Sequence, residues 1–385
     1  MNECLNILHT EASKGWGGQE LRVLAELEGF AARGHRTRLL APEDAQIFQA
    51  ARDRGIACEA FPFDRPLSRK GLGQILGLHH RLRANLAASP VANPVDVIVT
   101  HSSHDSWQVG LARLFMNPAP TVVRTRHVSA PITDNSASRW LYRRSADRIA
   151  TTGETIRRHI IAVTGADPDN VEAVPTGVDP RQFDPSLYPD KAAVRRKLGL
   201  PENGRLIGIA ATLRNWKGHR ELLTAFECLQ ANHPDLHLII AGDGPQRGRT
   251  ERRKTAMQGG ERVHILGHRE DVPAILAALD IFALPSWSNE GVPQAIVQAM
   301  TMGLPIVTTD AGSITEAIRH EHNGLIVAKR NADDLTAGLS RVLEDRDLAA
   351  QLGRTARANA LAYHGLDAML DRMERLMRAA IASRN

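Results

Sequence analysis

The chain has 385 residues, of which 43% are hydrophobic, 24% charged and 4% aromatic. That is the make-up of a folded enzyme longer than one core ordinarily sustains, so two domains are expected. No apolar run approaches the ~20 residues that cross a bilayer, MNECLNILHT lacks a basic region ahead of an apolar one, and Cys4, Cys58 and Cys228 are too scattered for a disulfide framework, so a cytosolic protein is expected. A net charge of +5 and a pI of about 9.4 suit a phosphate-bearing partner or an anionic membrane face. Acids and bases are interspersed over most of the chain and no recognition motif for nucleic acid is present, which sets that partner aside.

In chain order, hydrophobic periodicity predicts strand 5–10, helix 18–33, strand 36–41, helix 44–54, a strand near 56–61, helix 71–88, strand 95–100, helix 106–116, and strands near 121–126 and 148–152. Strands alternating with helices imply a parallel sheet covered on both faces, with function at the carboxyl ends of the strands. GWGGQE at 15–20 follows the first strand and opens the first helix, but position 20 is Glu, so it is not the dinucleotide fingerprint. It is either a plain glycine turn or a loop where Gly17 and Gly18 let the backbone approach a ligand.

Between Asp64 and Asp96 there is no acid, while Arg65, Arg69, Lys70, Arg81 and Arg83 add positive charge beside His79 and His80. Leu72, Ile75, Leu76, Leu78, Leu82 and Leu86 recur at helical spacing, so this helix is basic and amphipathic. It could rest on anionic lipid headgroups or be an ordinary domain helix with a solvated basic face. THSSHDSW at 100–107 raises the question of a metal at His101, His104 and Asp105; the strand-to-loop context and the lack of a fourth ligand favour a hydrogen-bonding or acceptor-site role. His127 closes the strand VVRTRH, as a site residue or a loop histidine, and the D-x-D of Asp167 and Asp169 is explained by a turn.

Prolines and turn formers around VPTGVDPRQFDPSLYPD interrupt the alternation and place a linker near 178–192. A second series begins at 206: LIGIAATL, helix 218–231, LHLIIAG, a basic loop, VHILG, helix 271–279, IFALP, helix 293–302, PIVTTD and GLIVA, which is a second Rossmann-like unit. The expected domains are 1–180 and 181–365, with 366–385 a C-terminal helix that packs back on the first. In IFALPSWSNEGVPQAIVQAMTMG, a buried strand leads through a loop carrying Glu290, Gly291 and Val292 to a helix that Pro293 is suited to start and Gly303 and Pro305 to close. Free backbone N–H groups at such a helix start favour phosphate, and the Glu290 carboxylate can accept hydrogen bonds from sugar hydroxyls, so the pair suggests a nucleotide-sugar.

This segment resembles the E-x7-E signature of retaining glycosyltransferases of family 4 (group 1), including the lipopolysaccharide and envelope-glycan type; here Gln298 stands at the second acidic position. The resemblance covers nearly the whole chain. It implies the GT-B fold, two Rossmann-like domains with parallel sheets facing across a cleft. It further implies that Glu290 contacts the donor sugar, that Gln298 takes the place of the residue holding the ribose, and that Arg214 and Lys217 match the R-x-x-K pair gripping the donor diphosphate. Gln can still accept from one hydroxyl and donate to another, without the charge-assisted bonds of a carboxylate. Asp243, Gly244 and Pro245 match a turn of the cleft floor, Arg269 borders the base, Gly312 lies at a strand-to-helix junction that could reach phosphate, and Glu316 matches a recurrent acid. Gly17 and Gly18 match a Gly-Gly-x-Glu loop and His127 the histidine that contacts the donor sugar.

The implied activity is retaining, metal-independent transfer of a sugar from an NDP-sugar, with no cofactor, to a glycan or lipid-linked acceptor at the inner face of the cytoplasmic membrane. A non-catalytic nucleotide-sugar binder and a sugar-nucleotide epimerase are the alternatives. The first would dispense with His127 and the glycine loop, and the second needs acids placed for elimination.

Overall fold

The computed structural model describes residues 3–65, 68–86 and 95–384, and the last two residues of the helix expected over 71–88 lie outside them. The chain forms two compact units, one of residues 1–175 with 366–385 and the other of residues 176–365.

The first unit runs β1 (Asn6–Thr10), α1 (Gly18–Ala32), β2 (Arg36–Ala41), α2 (Gln46–Asp53), β3 (Ala57–Ala60), α3 (Arg69–Leu86), β4 (Val97–Thr100), α4 (Ser103–Arg113), β5 (Thr121–Arg126), α5 (Ser136–Arg143), β6 (Arg148–Thr151), α6 (Glu154–Thr164) and β7 (Val171–Ala173). Among the described residues its sheet has seven parallel strands in the order β3-β2-β1-β4-β5-β6-β7. β4 is buried along its whole length and β5 at all but its last residue, as a strand covered on both faces must be. The sequence reading did not include α5 and α6. Asn135 caps α5 by accepting from Ser138 N at 2.8 Å, and left-handed Gly165 closes α6. α4 starts three residues before the expected 106 because the Asp105 carboxylate accepts from Ser102 N at 2.9 Å, half of a capping box legible as S-x-x-D.

α3 carries two adjacent apolar edges with different burial. Ile75, Leu78 and Leu82 are buried, whereas Leu72 and Leu76, one helical turn apart, are 54% and 62% exposed among the exposed Arg69, Lys70, His80 and Arg83.

The second unit runs α7 (Lys191–Lys197), β8 (Arg205–Ala210), α8 (His219–Leu229), β9 (Leu236–Ala241), α9 (Arg247–Ala256), β10 (Val263–Gly267), α10 (Val272–Ala278), β11 (Ile281–Leu284), α11 (Gln294–Thr301), β12 (Ile306–Thr309), α12 (Ile314–Ala317), β13 (Leu325–Val327), α13 (Ala332–Glu344) and α14 (Arg346–Tyr363). Its described strands form one parallel six-stranded sheet, β10-β9-β8-β11-β12-β13, around a core containing Phe226, Phe282, Ile239 and Leu339. α9 corrects the expected basic loop. It has almost no apolar stripe, and Arg247 instead bridges Asp243 and Glu251, each four residues away. The last helix, α15 (Leu366–Ala382), belongs to the first unit, where Leu370, Met373 and Met377 pack with Phe30, Val99 and Val123 and Arg33 bonds Asp371 at 2.7 Å.

Candidate active site

In the second unit the candidate residues Lys217, Glu290 and Gly312 lie beyond the carboxyl ends of β8, β11 and β12. After β8 the chain turns through Arg214–Lys217 into α8, and the turn depends on Gly218, whose φ is +78°. A Cβ there would lie 2.1 Å from the Pro285 carbonyl oxygen, so no other residue fits without a shift of backbone. Trp287 fastens the same turn to the segment after β11. Its backbone N donates to Trp216 O at 2.8 Å, and its indole Nε1 donates to Asn215 O at 3.1 Å. Sequence reasoning passed over Trp287, since nothing in its local pattern indicates a partner seventy residues earlier.

That clamp brings Lys217 to Glu290. Lys217 Nζ donates to both carboxylate oxygens, at 2.7 and 3.0 Å, and Glu290 is only 5% exposed. Asn289, in the left-handed region at φ 61°, forms the turn just ahead of Glu290. The Glu290 carbonyl accepts from Ser313 N at 3.3 Å, which ties in the loop after β12. Pro293 stands one place earlier than expected, as the N-cap of α11 with extended ψ, so Gln294 is the first helical residue. The other end closes as the sequence suggests: left-handed Gly303 and then Leu304 donate to Met300 O and Ala299 O. Gln298 is buried in α11, as are Gly291 and Val292 in the loop.

Among the described residues, several buried polar atoms of this region have no hydrogen-bond partner: Ser286 Oγ, Gln294 Oε1 and Ser313 Oγ. Buried polar groups are ordinarily satisfied, so such a concentration beside an ion pair marks a place built for polar contacts beyond the fold's own. Burial lowers the His219 pKa to about 4, with Lys217 adding to the effect, so its ring is neutral beside that cation.

Other expected residues stand apart from this pair. Arg214 is exposed, its guanidinium 5.2 Å over the Trp216 ring. Arg269 spends its fork on Asp271, at 2.8 and 2.5 Å. Gly312 takes φ 58° in the loop before α12, and Glu316 is exposed. The turn at Asp243, Gly244 and Pro245 supports the cation loop: Leu213 N donates to Asp243 O and Gln246 N to Leu213 O, while Gly242 lies so close to Ala211 that a Cβ would meet its carbonyl oxygen at 2.1 Å.

In the first unit, Gly17 is the N-cap of α1 at φ −172°, an extended conformation open to any residue, and exposed Gly18 begins the helix. The loop before them folds over buried Glu11, which accepts from Ser13 N at 2.8 Å and Gln19 Nε2 at 2.7 Å; burial, then Asp105 and Glu20, push its carboxyl well up. His127 follows β5, its carbonyl accepting from Thr152 Oγ1 at 2.9 Å. Its Nε2 lies 3.1 Å from His101 Nδ1, and His101 Nε2 lies 2.9 Å from His9 Nδ1. The trio weighed as a metal site and read instead as a hydrogen-bonding or acceptor-site group separates: Asp105 caps α4 and accepts from His101 N, but His104 is exposed. His9, Glu26 and His101 do bring possible ligand atoms within 4.8 Å of one another. Arg22 Nε occupies one oxygen of Glu26 at 2.8 Å, and the imidazole contacts have hydrogen-bond geometry, so the cluster is built as a hydrogen-bonded row.

A parallel α/β unit with a lysine–glutamate pair between a glycine-bound turn and a helix start is what the family comparison meets. The chain matches the model for glycosyl transferases group 1 over residues 190–359 and that for Glycosyltransferase Family 4 over residues 16–182. It belongs to the family 4 glycosyltransferases. Among its relatives, a GDP-mannose-dependent monoacylated alpha-(1-6)-phosphatidylinositol monomannoside mannosyltransferase of Corynebacterium glutamicum is 30% identical over 216 residues, 54% of this chain and 56% of that one. A UDP-Gal:alpha-D-GlcNAc-diphosphoundecaprenol alpha-1,3-galactosyltransferase of Escherichia coli is 28% identical over 266 residues, 66% and 67% of the two chains. The matches thus span little more than half of the first relative and about two thirds of the second. The crystal structure of Anabaena HepE in complex with UDP-glucose superposes with a TM-score of 0.83 over 97% of this chain and 100% of that one, at 21% identity. The fold of this family 4 chain is GT-B. Among the described residues, no helix is long and apolar enough to cross a membrane.

Proposed function

We propose that the chain transfers a sugar from a nucleotide-sugar donor to a glycan or lipid-linked acceptor, with retention at the anomeric carbon. The observation that carries this reading is the Lys217–Glu290 pair, held between two strand ends and surrounded by unsatisfied buried polar atoms. Lys217 and Arg214 serve the diphosphate, whose negative charge grows as the glycosidic bond breaks; fixed cations stabilise that charge without reorganising. Arg214, exposed and free of an acid partner among the described residues, can fork two oxygens where Lys217 acts as a point charge. Glu290 accepts from donor-sugar hydroxyls, Gln298 exchanges hydrogen bonds with the ribose, and Arg269 and Gly312 border the nucleotide. His127 meets the donor sugar in the first unit, alongside the Gly17–Gly18 loop. Donor phosphate takes the acceptor proton, so the protein supplies position and charge rather than a nucleophile, and no metal is needed.

A lipid-linked or envelope-glycan acceptor, as in lipopolysaccharide synthesis, is supported by the acceptors in the names of the two relatives and by α3, which offers Leu72 and Leu76 outward among basic residues. On this reading the chain works peripherally at the inner face of the cytoplasmic membrane. Incubation with UDP-, GDP- and ADP-sugars and a lipid-linked acceptor, with the product anomer read by NMR, tests the transfer. Retained configuration and full activity in a chelator are expected; inversion, or rescue by manganese, refutes the mechanism. Leu72→Ser with Leu76→Ser should abolish sedimentation with anionic vesicles, and unchanged sedimentation removes the membrane role.

A further inference from the structure

Three histidines climb the sheet of the first unit as a staircase. β1 pairs with β4 so that His9 sits opposite Val99, and β4 pairs with β5 so that Val99 sits opposite Val123. His101 is two residues beyond Val99 and His127 four beyond Val123. Since alternate residues share a face, each ring lies one same-face step nearer the carboxyl edge than the one before. Exposure rises in step, from 0% at His9 to 3% at His101 and 8% at His127. The nitrogens meet in series, His9 Nδ1 to His101 Nε2 at 2.9 Å and His101 Nδ1 to His127 Nε2 at 3.1 Å. The row starts at α1, where Glu26 Oε2 is 3.9 Å from His9 Nδ1 and the other carboxylate oxygen accepts from buried Arg22 at 2.8 Å.

In such a row the protons can be arranged in only two ways if all three rings are neutral, because each contact needs one N–H and one lone pair. Neutrality follows from burial, which lowers the His9 pKa to about 3 and holds His101 and His127 well below the ordinary imidazole value. In one arrangement His9 Nδ1–H donates to His101, His101 Nδ1–H donates to His127 Nε2, and His127 keeps its proton on Nδ1. In the other, every proton is on Nε2. The second arrangement puts a lone pair rather than an N–H on His9 Nδ1, the atom 3.9 Å from the carboxylate, and leaves His9 Nε2–H as a buried donor at an atom with no partner among the described residues. Both features cost free energy; the first arrangement sets an N–H nearest the carboxylate and leaves His9 Nε2 as an unmet acceptor, which buried sites tolerate better than an unmet N–H.

We propose that Glu26, His9 and His101 are positioning residues that lock His127 in a single tautomer, its Nε2 accepting from His101 and its Nδ1–H presented to substrate. The proposal rests on reading His127 as a substrate-contacting group, and it assigns the direction of that contact: a donor to a sugar or acceptor oxygen, not a base. The cue lies two strands away from His127, in the charge of the Arg22–Glu26 pair.

The test is nitrogen NMR on the full chain labelled with 15N-histidine, with His127 assigned by its loss in His127→Asn. At neutral pH the wild type should show a protonated, pyrrole-type Nδ1 and a pyridine-type Nε2 at His127. Glu26→Gln turns an amide toward His9 and should reverse that pattern. If that variant does not fold, His9→Phe, which keeps a ring against His101, should leave His127 as a mixture of both tautomers and lower kcat by roughly tenfold or more with donor KM unchanged. A wild-type His127 protonated on Nε2, or a pattern that persists in a folded variant, overturns the proposal. So does stabilisation by zinc alone that His9→Phe abolishes, since that assigns the row to a metal. The spectra read the imidazole directly, so their failure leaves the donor site of the second unit standing, and failure of nucleotide binding leaves the spectra unchanged.

Discussion

The two units carry their functional groups in opposite electrostatic states. The second sets a partly buried lysine on a buried carboxylate, Lys217 on Glu290, and shapes the backbone around them with left-handed glycines. The first buries neutral imidazoles in a row and leaves one charge pair, Arg22–Glu26, sealed beneath them. Charge that must answer a diphosphate has to stay ionised and within reach of solvent, whereas a ring that must present a fixed N–H is best kept dry. The difference therefore shows in which variants each unit tolerates.

The largest effect is expected where the second unit's charges are removed. Lys217→Met or Glu290→Ala should lower the transfer rate by at least 10²-fold, about 3 kcal/mol of transition-state stabilisation, with the fold retained by circular dichroism. Turnover within tenfold of wild type would remove these residues from the donor site. Next comes the glycine contrast. Gly218→Ala should destabilise the second unit by about 3 kcal/mol in urea unfolding, because the left-handed backbone and the Pro285 carbonyl both oppose a Cβ, whereas Gly17→Ala should fall within about 0.5 kcal/mol. Equal effects would mean that the two glycine loops are shaped alike.

Acid should weaken the first unit more than the second. A histidine whose folded pKa lies below its unfolded one favours folding above the unfolded value, and that advantage is lost as pH falls through about 6.5 toward the folded pKa. His9 should contribute a loss of about 2 kcal/mol by pH 5, and His101 and His127, also held below the ordinary imidazole value by burial, add losses of the same sign, against His219 alone in the region of Glu290. The buried acids Glu11, Glu26 and Asp105 have raised folded values, so their own contribution is lost as pH rises through those values and runs the other way. Hydrogen exchange followed separately in the two sheets between pH 7 and 5 measures the balance. A first unit no more sensitive than the second would contradict it. The smallest change, Gln298→Glu, should tighten nucleotide binding by about 1 kcal/mol, and a severe loss would mean that α11 does not face the ribose.

How much of this could be read from the sequence differs between the units for the same physical reason. In the second, the loops are written in glycine and proline at fixed offsets, and the strand at Ile281–Leu284, the close of α11 at Gly303 and the candidates Glu290 and Lys217 are all legible locally. What could not be read was the clamp by Trp287, because it depends on which loops become neighbours, and α9, because its helix is held by charge pairs rather than an apolar stripe. In the first unit His127 could be singled out alone, but His9 lies inside an apolar strand, and only the register of β1, β4 and β5 joins the three rings. Leu72 and Leu76 fit a helical period, and period alone does not separate them from the buried Ile75 and Leu78.

The central claim is that Lys217 and its neighbours bind the diphosphate of an activated sugar, and thermal unfolding with UDP, GDP and ADP tests it most directly. One nucleoside diphosphate at about a hundred times its Kd should stabilise the wild-type chain by about 2.7 kcal/mol and leave Lys217→Met unmoved. No stabilisation by any of the three, or the same stabilisation in both proteins, would contradict it.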